Sequence, residues 1–486
     1  MACRLPLFLV ALLALLAARC PVRGQSIDPD FQATGAYRTQ ALPGTVQALC
    51  RQADGRLLVA GDFTRFNNWP SSNVVRLWPD GRVDSTFLAH PVSGGSILAV
   101  ATDAQGRVLI AGTFTTVDGQ PRSRVARLLA DGTLDSTFAP DIHPAGGLPA
   151  FVRAVVVQPD GNVVLGGSFV TNGANGSTIA HLVRLLPTGQ PDPGFVPAMP
   201  YSGQVGAVLL LPTGELLVAG NTYSSAVGLE LVRRLRANGS LDPGFNIVPA
   251  NPVLAGMGLA MAATPTGFVL VGTYYSVGNV ARASVARFLA NGTLDIAFTS
   301  PLPNSASAAA QVGAVAVEPG GQVFIGGDLG PTGTSSHLRR LLPNGAFDPN
   351  YFGPAGPEPD ATVNALLLQP DGKLLVGGNF TSLAGYLRFG LARLLAPTVL
   401  ASGAAHPTVG VAVFPNPAHS RLYLRFAAAH PARLVQLLDA LGRPVRTQAT
   451  AQPELTLDTT GLPAGTYLLR IAYVQDATET RRVVLE

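Results

Sequence analysis

The stretch Leu367–Phe380, "LLQPDGKLLVGGNF", has near-copies upstream: "VVQPDGNVVLGGSF" at 156–169, "ATDAQGRVLIAGTF" at 101–114 and "LCRQADGRLLVAGDF" at 49–63. Each is two short β-rich apolar runs separated by a Gly turn, which is strand punctuation and not helix periodicity. With the turn glycine as marker, copies fall at Gly55, Gly106, Gly161, Gly214, Gly267, Gly321 and Gly372, at intervals of 51 to 55 residues. A period in this range marks a repeat array. In the second copy four strands are expected: Ile97–Thr102, Val108–Gly112, Val125–Leu129 and Leu134–Phe138. Four short antiparallel strands repeated seven times predict an all-β protein, a seven-bladed β-propeller whose sheet edges are protected by radial closure.

Two further positions recur. A glycine ends the second strand of every copy (Gly61, Gly112, Gly167, Gly220, Gly272, Gly327, Gly378), where there is no room for a side chain or φ must be positive. No helix follows these glycines, so they do not read as a phosphate cradle. On the third strand Arg76, Arg127, Arg184, Arg234, Arg287 and Arg340 are each followed eight residues later by Asp84, Asp135, Asp192, Asp242, Asp295 and Asp348. A three-residue hairpin loop at Pro79–Gly81 places Arg76 opposite Asp84 and Leu77 opposite Val83. Recurrence in every copy marks the pair as structural. The seventh copy ends at "LARLLAP" without its Asp-x-x-Phe segment, while the orphan "IDPDF", Ile27–Phe31, stands near the start of the chain. The N-terminal strand is therefore expected to close the last blade, with Arg393 facing Asp28, Leu394 facing Ile27 and Phe31 buried.

The pattern V-x-A-V-x-x-Q-P-D-G-x-x-L-V-G-G-x-F followed by R-L-x-x-D-G-x-L-D-x-x-F resembles the delta-60 repeat family of propeller-like bacterial proteins, over about residues 27–396. Such repeats imply a scaffold with no common chemistry. The tail is different. "FPNP", "LLDALGRPV", "LDTTGLPAGTYLLRI" and the final "TRRVVLE" resemble the C-terminal sorting domain of type IX secretion in Bacteroidetes, with Pro415, Asn416, Pro417, Gly442, Gly465 and Tyr467 on the family motif. The resemblance implies the type IX machinery as a partner and a secreted or cell-surface location. Short alternating strands at Arg421–Phe426, Leu434–Asp439, Leu455–Leu457, Thr466–Ala472 and Arg481–Leu485 predict a small Ig-like β-sandwich.

The start of the chain reads as a signal peptide, residues 1–24: Arg4, the apolar run Leu5–Ala18, and a small residue at Gly24. That run is too short to span a bilayer as a helix. The expected organisation is then 1–24 signal peptide, 25–396 propeller, 397–409 linker and 410–486 sorting domain, with no transmembrane span after signal cleavage. Losing Arg4, Arg19 and Arg23 reduces the 33 basic residues against 29 acidic to a net of +1, which argues against nucleic acid or an anionic membrane as partner. Cys50 alone of three cysteines remains, so no internal disulfide is expected, and it reads as a small core hydrophobe.

Signatures of chemistry are missing. The histidines (His90, His143, His181, His337, His406, His419 and His430) form no H-E-x-x-H pair, and no C-x-x-C, G-x-S-x-G, Walker loop or calcium ladder occurs. No catalytic residue, metal or cofactor is expected. The turns between strands one–two and three–four are tight, so the long connections share the other face. They carry Phe66, Trp69, Tyr223, Tyr274, Tyr275 and Tyr386. Exposed rings of this kind suit the flat apolar faces of sugars or a protein surface. A monomeric, non-enzymatic scaffold binding a glycan or protein is expected; a carbohydrate-active or other hydrolase is the alternative, which carboxylates at the channel mouth would favour. Two "DST" triplets, Asp84–Thr86 and Asp135–Thr137, also resemble the O-glycosylation sequence of the same bacteria.

Overall fold

The computed structural model describes residues 27–38, 42–87, 91–144, 149–173, 177–199, 203–224, 228–246, 248–249, 256–303, 310–330, 336–349, 351, 358–396, 411–426, 432–439, 443–473 and 478–486. The expected signal segment 1–24, the expected linker 397–409 and Gly442 lie outside them. Among the described residues every regular element is β, and the chain divides into two compact units, Met1–Pro397 and Thr398–Glu486.

In the first unit each repeat makes one antiparallel sheet in the order first, second, third strand, as in Thr45–Arg51, Leu57–Asp62 and Val74–Leu77. The first strands of the next six repeats are Ile97–Thr102, Phe151–Val157, Val205–Leu210, Gly258–Thr264, Gln311–Val317 and Val363–Leu368. The second strand is central and buried on both faces, which is why it reads as an unbroken apolar run and not an alternating one. Its two faces serve different neighbours. Leu58 and Ala60 pack with Val108 and Ile110 of the second repeat, whereas Leu57 and Val59 pack with Leu375 and Leu391 of the seventh. Similar clusters join each repeat to the next, through Leu109 with Leu165 and, further on, Phe324 with Val376. Burying one such side chain contributes about 1.5–3 kcal/mol, so these shared layers carry most of the stability.

The expected fourth strand is not a strand. In the described residues it shrinks to a single bridge, such as Leu77 to Val83 or Leu128 to Leu134. The reason is local: the Asp84 carbonyl accepts from the Phe87 amide and its carboxylate from the Thr86 amide, which turns the chain after one paired residue. The Ile27–Leu394 bridge has the same antiparallel form, and the Asp28 amide donates to the Arg393 carbonyl at 2.8 Å.

A second correction concerns the fifth repeat. Gly55, Gly106, Gly161, Gly214, Gly321 and Gly372 have φ between 77° and 94°, the left-handed turn conformation. Gly267 does not occupy that position. It begins the second strand opposite Thr264, leaving a two-residue loop at Pro265-Thr266, and a Cβ there would stand 2.0 Å from the Phe288 carbonyl oxygen.

The long connections between second and third strands are also more ordered than loops. Four are small hairpins: Arg65–Phe66 with Trp69–Pro70, Thr116–Val117 with Gln120–Pro121, Ser276–Val277 with Val280–Ala281, and Ser382–Leu383 with Tyr386–Leu387. In the third and fourth repeats the main strands themselves run on, as Val163–Asn172 and Leu216–Ser224. Cys50 is partly buried against the layer between the first two repeats, and burial pushes its thiol up.

The second unit has two antiparallel sheets, Val411–Phe414, Arg421–Phe426, Glu454–Asp458 and Pro444–Ala449, Ala432–Leu438, Gly465–Tyr473, Thr478–Leu485. Leu422, Leu424, Val435, Leu469 and Ile471 share one core between them. Two strands escape the sequence reading. Pro444–Ala449 follows a turn signal and lies at a sheet edge, where a proline does not break the ladder. Val411–Phe414 precedes the cis Phe414–Pro415 bond.

Candidate functional site

The recurrent glycine at the end of the second strand organises the inner rim. An ideal Cβ on Gly61, Gly112, Gly167, Gly220, Gly272, Gly327 or Gly378 would stand 1.9–2.2 Å from a carbonyl oxygen of the residue that begins or just precedes the first strand. Only glycine permits that approach. Beside each one the first strand bulges, and the pairing register skips one residue: Gln47, Leu98, Arg153, Gly206, Leu259, Gly313 or Asn364. A bulge re-aims a side chain away from the ladder. Six of these seven residues, from Leu98 to Asn364, line a cavity of about 260 Å³ to which the first strands of all seven repeats contribute. Arg153 is the one charged residue of the lining, and Asn364 the one other polar side chain.

At the outer edge the same contact is repeated. Arg76, Arg127, Arg184, Arg234, Arg287, Arg340 and Arg393 donate to Asp84, Asp135, Asp192, Asp242, Asp295, Asp348 and Asp28 at 2.6–2.8 Å. Each guanidinium also lies 4.4–5.1 Å from the centre of an aromatic ring: Phe87, Phe138, Phe195, Phe245, Phe298, Tyr351 and Phe31 in the same order. Six of the seven arginines reach on to a turn carbonyl of another repeat, Ala130, Pro187, Ala237, Ala290, Pro343 and, from Arg393, Pro79. Arg340 instead bonds Glu318 within its own repeat. The only lysine, Lys373, joins Asp28 at 2.9 Å.

Burial alone would raise the Asp135 pKa, but hydrogen bonds from Thr137 and Arg127 outweigh it and hold the carboxyl below 3.8. The same balance lowers Asp28, with Lys373 and the Asp30 amide as the leading donors, and Asp84, with Thr86. The Thr86 and Thr137 hydroxyls of the "DST" triplets are likewise donated to Asp84 and Asp135. This constellation binds the protein to itself.

The six aromatic positions separate. Phe66 is fully buried against the first-repeat core, and Tyr274 is fully buried with its hydroxyl donated to the Leu270 carbonyl at 2.7 Å. Both are core residues, which corrects their assignment to a binding face: each alternates inward at its place in the connection. Tyr275 is half-buried. Trp69, Tyr223 and Tyr386 are 47%, 56% and 59% exposed, on three different repeats. Val280 holds the hairpin position equivalent to Trp69 and Tyr386, and the exposed Leu387 follows Tyr386. None of these lines the central cavity. Because Asp62 at the end of a second strand pairs with Thr45 at the start of a first, hairpins and bulges rise toward the same end of the sheets.

In the tail, Pro415, Asn416, Pro417 and Gly465 are exposed, and Asn416 accepts from the Val484 amide at 2.8 Å. Tyr467 is buried and donates to the Pro463 carbonyl at 2.8 Å.

Sheets repeated along one unit, followed by a separate β unit, define an all-β repeat protein of the propeller kind. Residues 52–87, 105–138, 158–195, 211–245, 265–298 and 369–396 match the family described as domain of unknown function (DUF5122) beta-propeller, and residues 412–486 match the secretion system C-terminal sorting domain. The chain carries repeats of this family and a type IX sorting tail, which directs it to the cell surface or beyond. The repeat without a match is the sixth, where Glu318 draws in Arg340.

Among solved structures it is similar to PorZ, a surface component of the type IX secretion system of Porphyromonas gingivalis (14% identity, 91% of this chain and 59% of that one, TM-score 0.39). It is also similar to the extracellular domain of BT4673 from B. thetaiotaomicron (11%, 95% and 58%, TM-score 0.42). A third is an inactive virginiamycin B lyase from Staphylococcus aureus (12%, 74% and 98%, TM-score 0.42). The chain thus spans less than two thirds of the first two. No curated protein matches it. Among the described residues no helix is long and apolar enough to cross a membrane, and no group of His, Cys, Asp or Glu is placed to hold a metal ion.

Proposed function

We propose that residues 25–396 form a seven-bladed β-propeller closed by the N-terminal segment, and that it acts as a non-enzymatic, monomeric binding scaffold at the cell surface or in the medium. Residues 1–24 serve as the signal peptide, 397–409 as a linker and 410–486 as an Ig-like sorting domain. The closure reading is supported by Asp28 and Phe31, which give Arg393 the partners that every other repeat arginine finds within its own repeat. The Ig-like reading is supported by the three- and four-stranded sheets over one core and by the Tyr467–Pro463 bond, which resembles a tyrosine corner.

One observation carries the binding reading: Trp69, Tyr223 and Tyr386 hold large rings in solvent on short hairpins or strand ends instead of in the core. Exposed aromatics presented this way suit a sugar face or a protein partner. The hydrolase alternative needs paired acids at the channel, and among the described residues no Asp or Glu lines it. A glycan array probed with the secreted protein tests the reading. Trp69→Ala and Tyr386→Ala are expected to weaken any binding found at least tenfold with the melting temperature unchanged. Loss of folding instead would return these rings to a structural role.

A further inference from the structure

Arg153 occupies the bulge of the third repeat, where the other copies carry Gln, Leu, Gly, Leu, Gly and Asn. Its side chain is exposed to water and lines the central cavity of about 260 Å³, 5.7 Å from the Phe151 ring. Loss of solvation there lowers its pKa, but an arginine so placed stays ionised. Among the described residues it makes no ion pair or hydrogen bond. No acid is concealed elsewhere either, since the remaining residues of the repeat unit include no Asp or Glu. Around it the cavity is aliphatic or glycine, apart from Asn364. A Cβ on Gly313 would meet nothing within 4 Å, so the space is open.

A guanidinium facing an apolar-walled cavity, with water and no counter-charge beside it, offers an anion an unshared positive charge. Its planar fork matches a carboxylate with two parallel hydrogen bonds. The cavity has room for a small molecule or one group of a larger one, and not for a folded segment. We propose that the cavity is a binding site for the carboxylate group of a small organic ligand, with Arg153 as its anchor and Asn364 as a second polar contact. This site is separate from the exposed aromatic rings and does not depend on them.

Thermal unfolding and calorimetry of the full chain test it with acetate, glucuronate and glucose, against sodium chloride at matched ionic strength. Either carboxylate is expected to raise the melting temperature and bind, while glucose and chloride do not. Arg153→Met removes a side chain that bonds nothing among the described residues, so it should fold like the parent and bind the carboxylates at least tenfold more weakly. Silence of the parent toward both carboxylates, an equal response from Arg153→Met, or a response matched by chloride alone would overturn the proposal.

Discussion

The outer edge and the inner rim of the repeats are built from the same copies and obey opposite rules. At the edge an arginine, an aspartate and an aromatic ring meet seven times with nearly one geometry, and the seventh set is assembled from the two ends of the repeat unit. At the rim the bulge is also repeated seven times, but its side chain changes at almost every copy. The backbone device is constant and its cargo is not. Sameness among copies therefore marks what every sheet needs to hold its neighbour, and difference marks what a single place can do.

That contrast can be broken most severely at the edge. Removing Gln25–Phe31 takes away two buried apolar side chains, Ile27 and Phe31, and leaves Arg393 without Asp28. The expected loss is at least about 3 kcal/mol, from burial of the two side chains at about 1.5–3 kcal/mol each. Denaturant unfolding of the repeat unit measures it, and a variant melting like the parent would count against the edge contact.

A smaller effect sharpens the comparison within the edge itself. Asp135 and Arg127 leave 8% and 5% of their side chains exposed, against 14% and 17% for Asp242 and Arg234. Asp135→Asn strands a buried cation and should lower stability by about 2–3 kcal/mol, whereas the more solvated Asp242→Asn should lose about 1 kcal/mol. Equal losses would mean that burial does not set the strength of these pairs. Because the folded Asp135 pKa lies below its ordinary value, its contribution is present above about pH 4 and disappears as acid takes the pH down through the folded value. Urea midpoints measured from pH 6 to pH 3 should therefore fall less steeply for Asp135→Asn than for the parent. Least affected should be the hairpin tips, where Trp69→Ala changes stability by no more than about 0.5 kcal/mol.

Much of this is legible in the sequence. The period, the Arg–Asp spacing and the orphan "IDPDF" follow from counting, because a repeat fold writes its constraints once per copy. The glycine at the end of the second strand was legible as a lack of room, though not its consequence, the bulge. Aligning the first strands on that glycine would have singled out Arg153, since a lone charge among Leu, Gly and Asn departs from its copies. The fourth strand was overread because a run such as "GTLDSTF" has strand composition, while the Asp side chain captures the following amides and bends the chain. Phe66 and Tyr274 were misplaced for a related reason: a hairpin two residues wide still has an inner and an outer side, and composition alone does not distinguish them.

The central claim, that the start of the chain completes the last repeat, has a direct measurement. Ile27 and Leu394 form an antiparallel bridge, and residues so paired lie about 4.5–5.5 Å apart at Cα, within disulfide reach. In a chain carrying Ile27→Cys, Leu394→Cys and Cys50→Ser, mild oxidation should join the two new thiols within a single molecule. Mass spectrometry and non-reducing electrophoresis should then show a cross-linked monomer in nearly every chain. Free thiols or disulfide-linked dimers in their place would contradict the account.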